Sequence, residues 1–201
     1  MSIVLYWHPR SSALPIASAL TELGVPHERV VIDIEAGEQR RPEFLALNPH
    51  GKVPTLTVDG APMFESLAIQ LWLGERYGVD AGLWPAPNTP ARLLAMSWCA
   101  WSYVSYGAVL WRVYHATHGE EARRDARQAE AGLADMNALL AVLDGHLSKQ
   151  PWILGAAYSL ADLIVGSVVG YSAFLGAVQN HPHVRAWCDR VNARPAMQIA
   201  A

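Results

Sequence analysis

Apolar residues run without a break from Ile3 to Trp7, the pattern of a strand covered on both faces. A Pro-Ser segment follows, and Leu14 to Leu23 then reads as a helix stopped by Gly24. Arg29 to Ile34 predicts a second strand, and Pro42 to Leu47 a short helix that must end before Asn48-Pro49, because the residue before proline is pushed out of the helical region. Thr55 to Val58 and Ala61 to Phe64 flank Asp59-Gly60, a pair suited to the positive φ angles of a two-residue hairpin. The helix Leu67 to Tyr77, closed by Gly78, completes the order βαβαββα.

From Gly78 to Pro90 (GVDAGLWPAPNTP) periodicity fades among glycines and prolines, as at a domain boundary. Beyond it the spacing predicts helices over Ala91–His115, Glu120–Leu147, Leu160–Val178 and Val184–Arg194, with no strand between them. The expected organisation is an α/β domain over 1–78, a linker over 79–90 and an all-helical domain over 91–201. Leu93 to Trp111 carries no charged residue, nearly a membrane span in length, but serines and tyrosines interrupt it and Arg92 and Arg112 bracket it. A buried helix of a helical domain is the expectation, with no membrane partner.

Composition narrows the class of function. With 52% hydrophobic and 16% charged residues in a chain of 201, a packed core is expected. Fifteen Lys and Arg against eighteen Asp and Glu leave a net charge of −3, which gives no footprint for nucleic acid. Cys99 and Cys188 lie too far apart for a CxxC redox pair or a zinc cluster, and the start of the chain lacks a basic leader, so a reducing compartment is expected. His115, His118, His181 and His183 have no third ligand at a fixed spacing, and no metal site is expected.

Three places carry candidate chemistry. Val53-Pro54 precedes a strand, where a cis bond would turn the backbone of Val53 outward to pair with an extended peptide and a trans proline would merely open the strand. Glu65-Ser66 stands at a strand-to-helix junction. There it could hold a zwitterionic amino-acid end, the ammonium on Glu65 and the carboxylate on Ser66 and the helix N-terminus, or simply cap the helix. Ser11 and Ser12 lie between the first strand and first helix. Without an activating base or a GxSxG elbow, neither suits covalent hydrolysis, but a hydroxyl at a helix N-terminus can donate to a bound sulfur and favour its thiolate, or serve as an N-cap.

The loop His8-Pro9-Arg10-Ser11, the turn Asn48-Pro49-His50-Gly51-Lys52-Val53-Pro54, the pair Glu65-Ser66 and the later Ser159-Leu160-Ala161-Asp162 occur in an order that resembles the cytosolic glutathione transferases of the serine-type classes. The resemblance spans nearly the whole chain. It implies a thioredoxin-like βαβαββα domain followed by an all-helical domain, with glutathione as co-substrate. It implies that Ser11 activates the thiol, with Ser12 its nearest rival and Tyr6 ranked below both. Val53 would pair with the cysteinyl unit beside a cis Pro54, Glu65 and Ser66 would hold the γ-glutamyl end, Lys52 would approach the glycyl carboxylate, and Gln39 falls near a glycyl-binding position.

Arg10 departs from the small residue common there, and no cysteine stands at Ser11 or Ser12, so cysteine-type disulfide chemistry is not implied. Tyr103, Tyr106, Leu110 and Tyr114 recur at helical spacing and could line an acceptor pocket or pack as core. The implied activity is conjugation of glutathione to a small hydrophobic electrophile by a cytoplasmic homodimer. The alternatives are a glutathione-dependent isomerase, dehalogenase or lyase, and a non-catalytic binding or assembly module on the same fold.

Overall fold

A computed structural model describes residues 1–198, with Arg123 described by its backbone alone; the last three residues of the expected helical domain lie outside the described residues. The chain divides into two compact units, one of residues 1–84 joined by the C-terminal segment from Arg194, the other of Pro85–Ala193.

In the first unit β1 (Ile3–Trp7), α1 (Leu14–Glu22), β2 (Glu28–Val31), α2 (Pro42–Leu45), β3 (Thr55–Val58), β4 (Ala61–Phe64) and α3 (Ser66–Leu73) follow in the expected order. The four strands lie in the order β2-β1-β3-β4. β1 pairs with β2 in parallel and with β3 antiparallel, so Leu5 sits between Arg29 and Leu56. Burial alternates along β1, with Ile3, Leu5 and Trp7 buried and Val4 and Tyr6 half-buried, so one face is dry and the other is only partly covered. The unbroken apolar run had suggested two dry faces. Alternation is the mark of a sheet whose faces are unequally covered. Asp59 and Gly60 both take positive φ, at 49° and 83°, as a tight hairpin demands.

The helix expected to reach Tyr77 changes at Leu73 into a wider π-turn over Gly74–Gly78. A Cβ at Gly74 would stand 2.8 Å from the Trp84 ring, so the glycine admits this linker tryptophan into the first unit, where it is 4% exposed. The C-terminal segment returns to the same unit: Arg194 donates to the Glu22 carboxylate, whose side chain is 9% exposed. This segment had been expected to belong to the helical domain.

The second unit contains α4 (Pro90–Ala100), α5 (Gly107–His118), α6 (Ala126–Leu147), α7 (Leu160–Tyr171) and α8 (Pro182–Asn192). Thr89 caps α4 and Asp125 caps α6, accepting from the N–H groups of Arg127 and Gln128 at 2.9 and 3.1 Å. That cap explains why α6 starts six residues later than the spacing suggested. The helix expected over Leu160–Val178 stops at Tyr171 and gives way to 3₁₀ turns on either side of Gly176, at φ 72°.

Asp162 is 0% exposed and accepts from the N–H groups of Ile153 and Ser159, the Ser159 hydroxyl and the Trp187 indole, at 2.7 to 3.1 Å. Burial raises its pKa against the pull of these donors. The motif thus ties the start of α7 to α8.

The single helix expected over Ala91–His115 is two α-segments joined by a π-turn at Trp101–Tyr106. It is long and apolar enough to cross a membrane, yet only 33% of its most apolar 18-residue window is buried. The expected buried helix is therefore largely surface, with Leu93, Met96 and Val104 turned out to 69%, 45% and 68% exposure.

Candidate active site

The turn between β1 and α1 separates the two serines by role. The Ser11 hydroxyl donates to the His8 carbonyl at 2.6 Å and accepts from the Ala13 N–H at 3.1 Å, so both its proton and a lone pair close the loop. Ser12 is exposed and stands on the wall of a cleft of about 170 Å³, together with Asn48, His50, Lys52, Val53, Pro54, Glu65 and Ser66. Of the two serines, Ser12 lines this cleft, whereas Ser11, the one ranked first from the sequence, spends its hydroxyl within the loop. Arg10, the bulky departure in this loop, is paired with Glu35 at 2.6 Å, both side chains well exposed.

The turn after α2 is built around Asn48, 2% exposed. Its amide donates to the Lys52 carbonyl at 2.8 Å and to the Thr55 hydroxyl at 3.1 Å, and its oxygen accepts from the His50 N–H at 3.0 Å. Gly51 sits inside this turn at φ 58°, where an added Cβ would lie 2.8 Å from the Gln39 carbonyl oxygen. Only glycine suits both demands. The Val53-Pro54 bond that follows is cis, and the backbone N–H and C=O of Val53 have no hydrogen-bond partner among the described residues. Lys52, exposed, completes this wall.

Glu65 joins β4 to α3 at φ 72°, ψ 114°, a backbone conformation that costs a non-glycine residue about 1–3 kcal/mol and is retained where a site requires it. Neither the Glu65 nor the Ser66 side chain has a hydrogen-bond partner among the described residues, and α3 has no side-chain cap. Two polar side chains and the open first turn of a helix therefore face the same cleft. Plain helix capping, the simpler reading of this pair, does not occur.

Two expected residues lie elsewhere. Gln39 is not on the cleft wall: its amide donates to the Ile34 carbonyl at 3.1 Å, and its buried oxygen has no partner. The neighbouring Arg40 instead reaches this region, donating to the His50 carbonyl at 3.4 Å. Tyr6 packs its ring edge-on against Phe44 at 6.1 Å and is a strand aromatic, not a cleft group. Asn48 and His50 were read as turn residues without a place in the site; their signal was the turn motif itself. The His50 ring leans on Phe64 at 5.5 Å.

The acceptor stripe in the second unit dissolves into different surroundings. Tyr106 is 0% exposed with its hydroxyl bonded to Ser172, burial driving its pKa upward, and Leu110 is 2% exposed. Both are core. A π-turn holds more residues per turn than an α-helix, so spacings of three and four across Trp101–Tyr106 no longer mark one face. Tyr103 and Tyr114 are half-buried. Tyr114 belongs to a partly exposed ring network with Trp111, His118 and Phe174, at centroid distances of 5.4 to 6.2 Å.

Both cysteines are buried, with desolvation pushing the Cys188 thiol up to about 12 and the Cys99 thiol higher still. Neither supplies a reactive thiolate. Among the described residues no group of three or more His, Cys, Asp or Glu could hold a metal ion.

Comparison with known proteins gives this arrangement a family. Residues 11–76 match the glutathione S-transferase N-terminal domain and residues 105–195 the C-terminal domain. The chain belongs to the glutathione S-transferase family. It is 30% identical to glutathione S-transferase 3 of Zea mays over 203 residues, covering 96% of this chain and 90% of that one. It is 29% identical to the disulfide-bond oxidoreductase YfcG of Escherichia coli (strain K12), covering 96% and 92%. Among solved structures, a glutathione transferase family member from Pseudomonas fluorescens pf-5 with two glutathione bound superimposes with a TM-score of 0.83 at 28% identity, over 98% of this chain and 90% of that one.

Proposed function

We propose that the protein is a glutathione transferase whose cleft binds reduced glutathione and holds its sulfur as a thiolate for attack on a small hydrophobic electrophile. The observation that carries this reading is the meeting, on one wall, of the Ser12 hydroxyl, the unpaired backbone of Val53 and the unpaired side chains of Glu65 and Ser66. The γ-glutamyl end is a zwitterion. Its ammonium suits the Glu65 carboxylate, and its carboxylate suits the Ser66 hydroxyl and the open N–H groups of α3, whose dipole favours an anion. The cysteinyl backbone suits Val53, which offers one donor and one acceptor in strand fashion. Lys52, with Arg40 near, suits the glycyl carboxylate.

With the tripeptide held at both ends, the sulfur falls to Ser12 at the N-terminal side of α1. A hydroxyl donor there and the positive end of α1 both favour S⁻ over SH. Lowering a thiol pKa from about 8.5 by two units is worth about 2.7 kcal/mol and makes the thiolate the main species at neutral pH. The sulfur lone pair then forms a bond to the electrophilic carbon, and the electron pair leaves with a departing group or takes a proton. Orientation of the bound nucleophile supplies the rest of the acceleration.

A second reading is thiol–disulfide exchange, favoured by the likeness to YfcG and by the two glutathione molecules bound in the Pseudomonas relative. With both cysteines of the chain buried, two glutathione thiols would reduce one substrate disulfide, leaving two substrate thiols and oxidised glutathione. Calorimetric titration with glutathione, followed by assays with 1-chloro-2,4-dinitrobenzene and with a mixed disulfide, tests both. Binding with turnover of the chloroarene supports conjugation, turnover of the disulfide alone supports exchange, and no binding removes both. The outward Leu93, Met96 and Val104 support a homodimer, tested by light scattering, and the two unpaired cysteines support a cytoplasmic location.

A further inference from the structure

A larger cleft, of about 340 Å³, lies in the second unit. One wall is a face of α8 bearing His183, Ala186 and Arg190, at steps of three and four residues; the other is the chain leaving α6, with Lys149 and Gln150. The small side chain of Ala186 between two larger ones leaves the space open. No carboxylate lines it, and neither Lys149 nor Arg190 makes an ion pair among the described residues. In a chain of net charge −3, this gathering of unneutralised cations does not follow from composition.

One of the two cations is ordered. Arg190 donates to the Pro151 carbonyl at 2.7 Å and lies over the Trp152 ring at 5.4 Å, which fixes its planar group. The nearest carboxylate in the bonding pattern, Asp144, is already engaged: it accepts from the N–H groups of His183 and Val184 at 2.8 and 3.1 Å and so caps α8. Asp144 keeps its negative charge while accepting from neutral N–H groups and the carbonyl end of α6 adds about half a unit more, so against the two positive charges of Lys149 and Arg190 a surplus of about half a positive charge remains. The balance in the cleft favours an anion.

We propose that this cleft binds a small organic anion through a carboxylate or phosphate group, at a site separate from the glutathione cleft and independent of its reading. Arg190 offers the fixed guanidinium and Lys149 the movable charge, in an open surface cleft lined mostly by exposed residues, with room for a small ring beside the head group. The test is amide NMR titration of the full chain with phenyl phosphate and, separately, benzoate, in about 0.15 M chloride so that diffuse attraction is screened. Saturable shifts are expected at Ser148–Gln150 and His183–Arg190, and the tighter of the two probes identifies the head group.

Lys149→Ala is expected to weaken binding about tenfold, as loss of one charged hydrogen bond does, and Ala186→Leu to abolish it by filling the cleft. Arg185→Ala, which removes the same charge from an exposed position off the cleft wall, is expected to change it less than about twofold. No saturation by either probe overturns the proposal. So does equal weakening by Lys149→Ala and Arg185→Ala, or unchanged binding in Ala186→Leu.

Discussion

The cleft of the first unit was expected from turn and junction motifs and the tyrosine stripe running from Tyr103 into α5 from helical spacing; the structure gathers Val53, Pro54, Glu65 and Ser66 on one wall and places the stripe residues in differing surroundings. The cleft is specified by turns. Asn48 pins the backbone of Lys52 and His50, Gly51 occupies a conformation closed to other residues, and Glu65 is held at positive φ, so each residue's place follows from its immediate neighbours. The stripe is specified by phase. The π-turn at Trp101–Tyr106 shifts Tyr103 out of phase with the rest, while Tyr106 lies in the core and Tyr114, further along the regular helix α5, lies half-buried among partly exposed rings. Local hydrogen-bonding chemistry transmits a site through sequence more securely than helical periodicity does.

Four substitutions sharpen this contrast. The largest effect on stability is expected in the second unit, from Asp162→Ala, which leaves the Ile153 and Ser159 N–H groups and the Trp187 indole buried without their acceptor. A loss of about 3–5 kcal/mol by urea denaturation is expected. Gly51→Ala, at positive φ and with a Cβ against the Gln39 carbonyl, should cost about 2–3 kcal/mol and also weaken glutathione at least about tenfold by calorimetry.

Glu65→Gly separates strain from binding. It should add about 1 kcal/mol of stability by relieving the positive φ, while glutathione affinity falls at least about tenfold with the lost ammonium contact. Tyr106→Phe should be the mildest, costing about 1 kcal/mol for the hydroxyl bond to Ser172 and leaving turnover of a hydrophobic electrophile unaltered. A changed KM for that electrophile would restore Tyr106 to an acceptor role.

The order of strands and helices was legible because its signals are local: Asp59-Gly60 for the hairpin, Pro49 after α2, Ser159 ahead of α7 and Asp162 in its first turn. Element ends were less so. Trp84 enters the first unit through the gap at Gly74, and Arg194 returns there to Glu22, contacts distant in sequence. At Val53-Pro54 and Glu65-Ser66 the motifs alone left a trans proline and plain capping open; the family resemblance carried the cis bond and the uncapped junction, and the structure has both. The choice between Ser11 and Ser12 was not legible. Adjacent, identical side chains differ here only in that one spends its hydroxyl on His8 and Ala13, a fact of loop geometry. Gln39 and Arg40 exchanged places for the same reason, the 3₁₀ turn carrying one amide inward to Ile34 and the next guanidinium toward His50.

The central claim is that Ser12 holds the bound sulfur as an anion. Ultraviolet titration of the glutathione thiolate on the wild-type protein, Ser12→Ala and Ser11→Ala measures it directly. The account predicts that Ser12→Ala raises the apparent thiol pKa by about one unit or more, the scale of one lost hydrogen bond to a charge, while Ser11→Ala leaves it near the wild-type value. An unmoved pKa in Ser12→Ala, or a shift confined to Ser11→Ala, would contradict it.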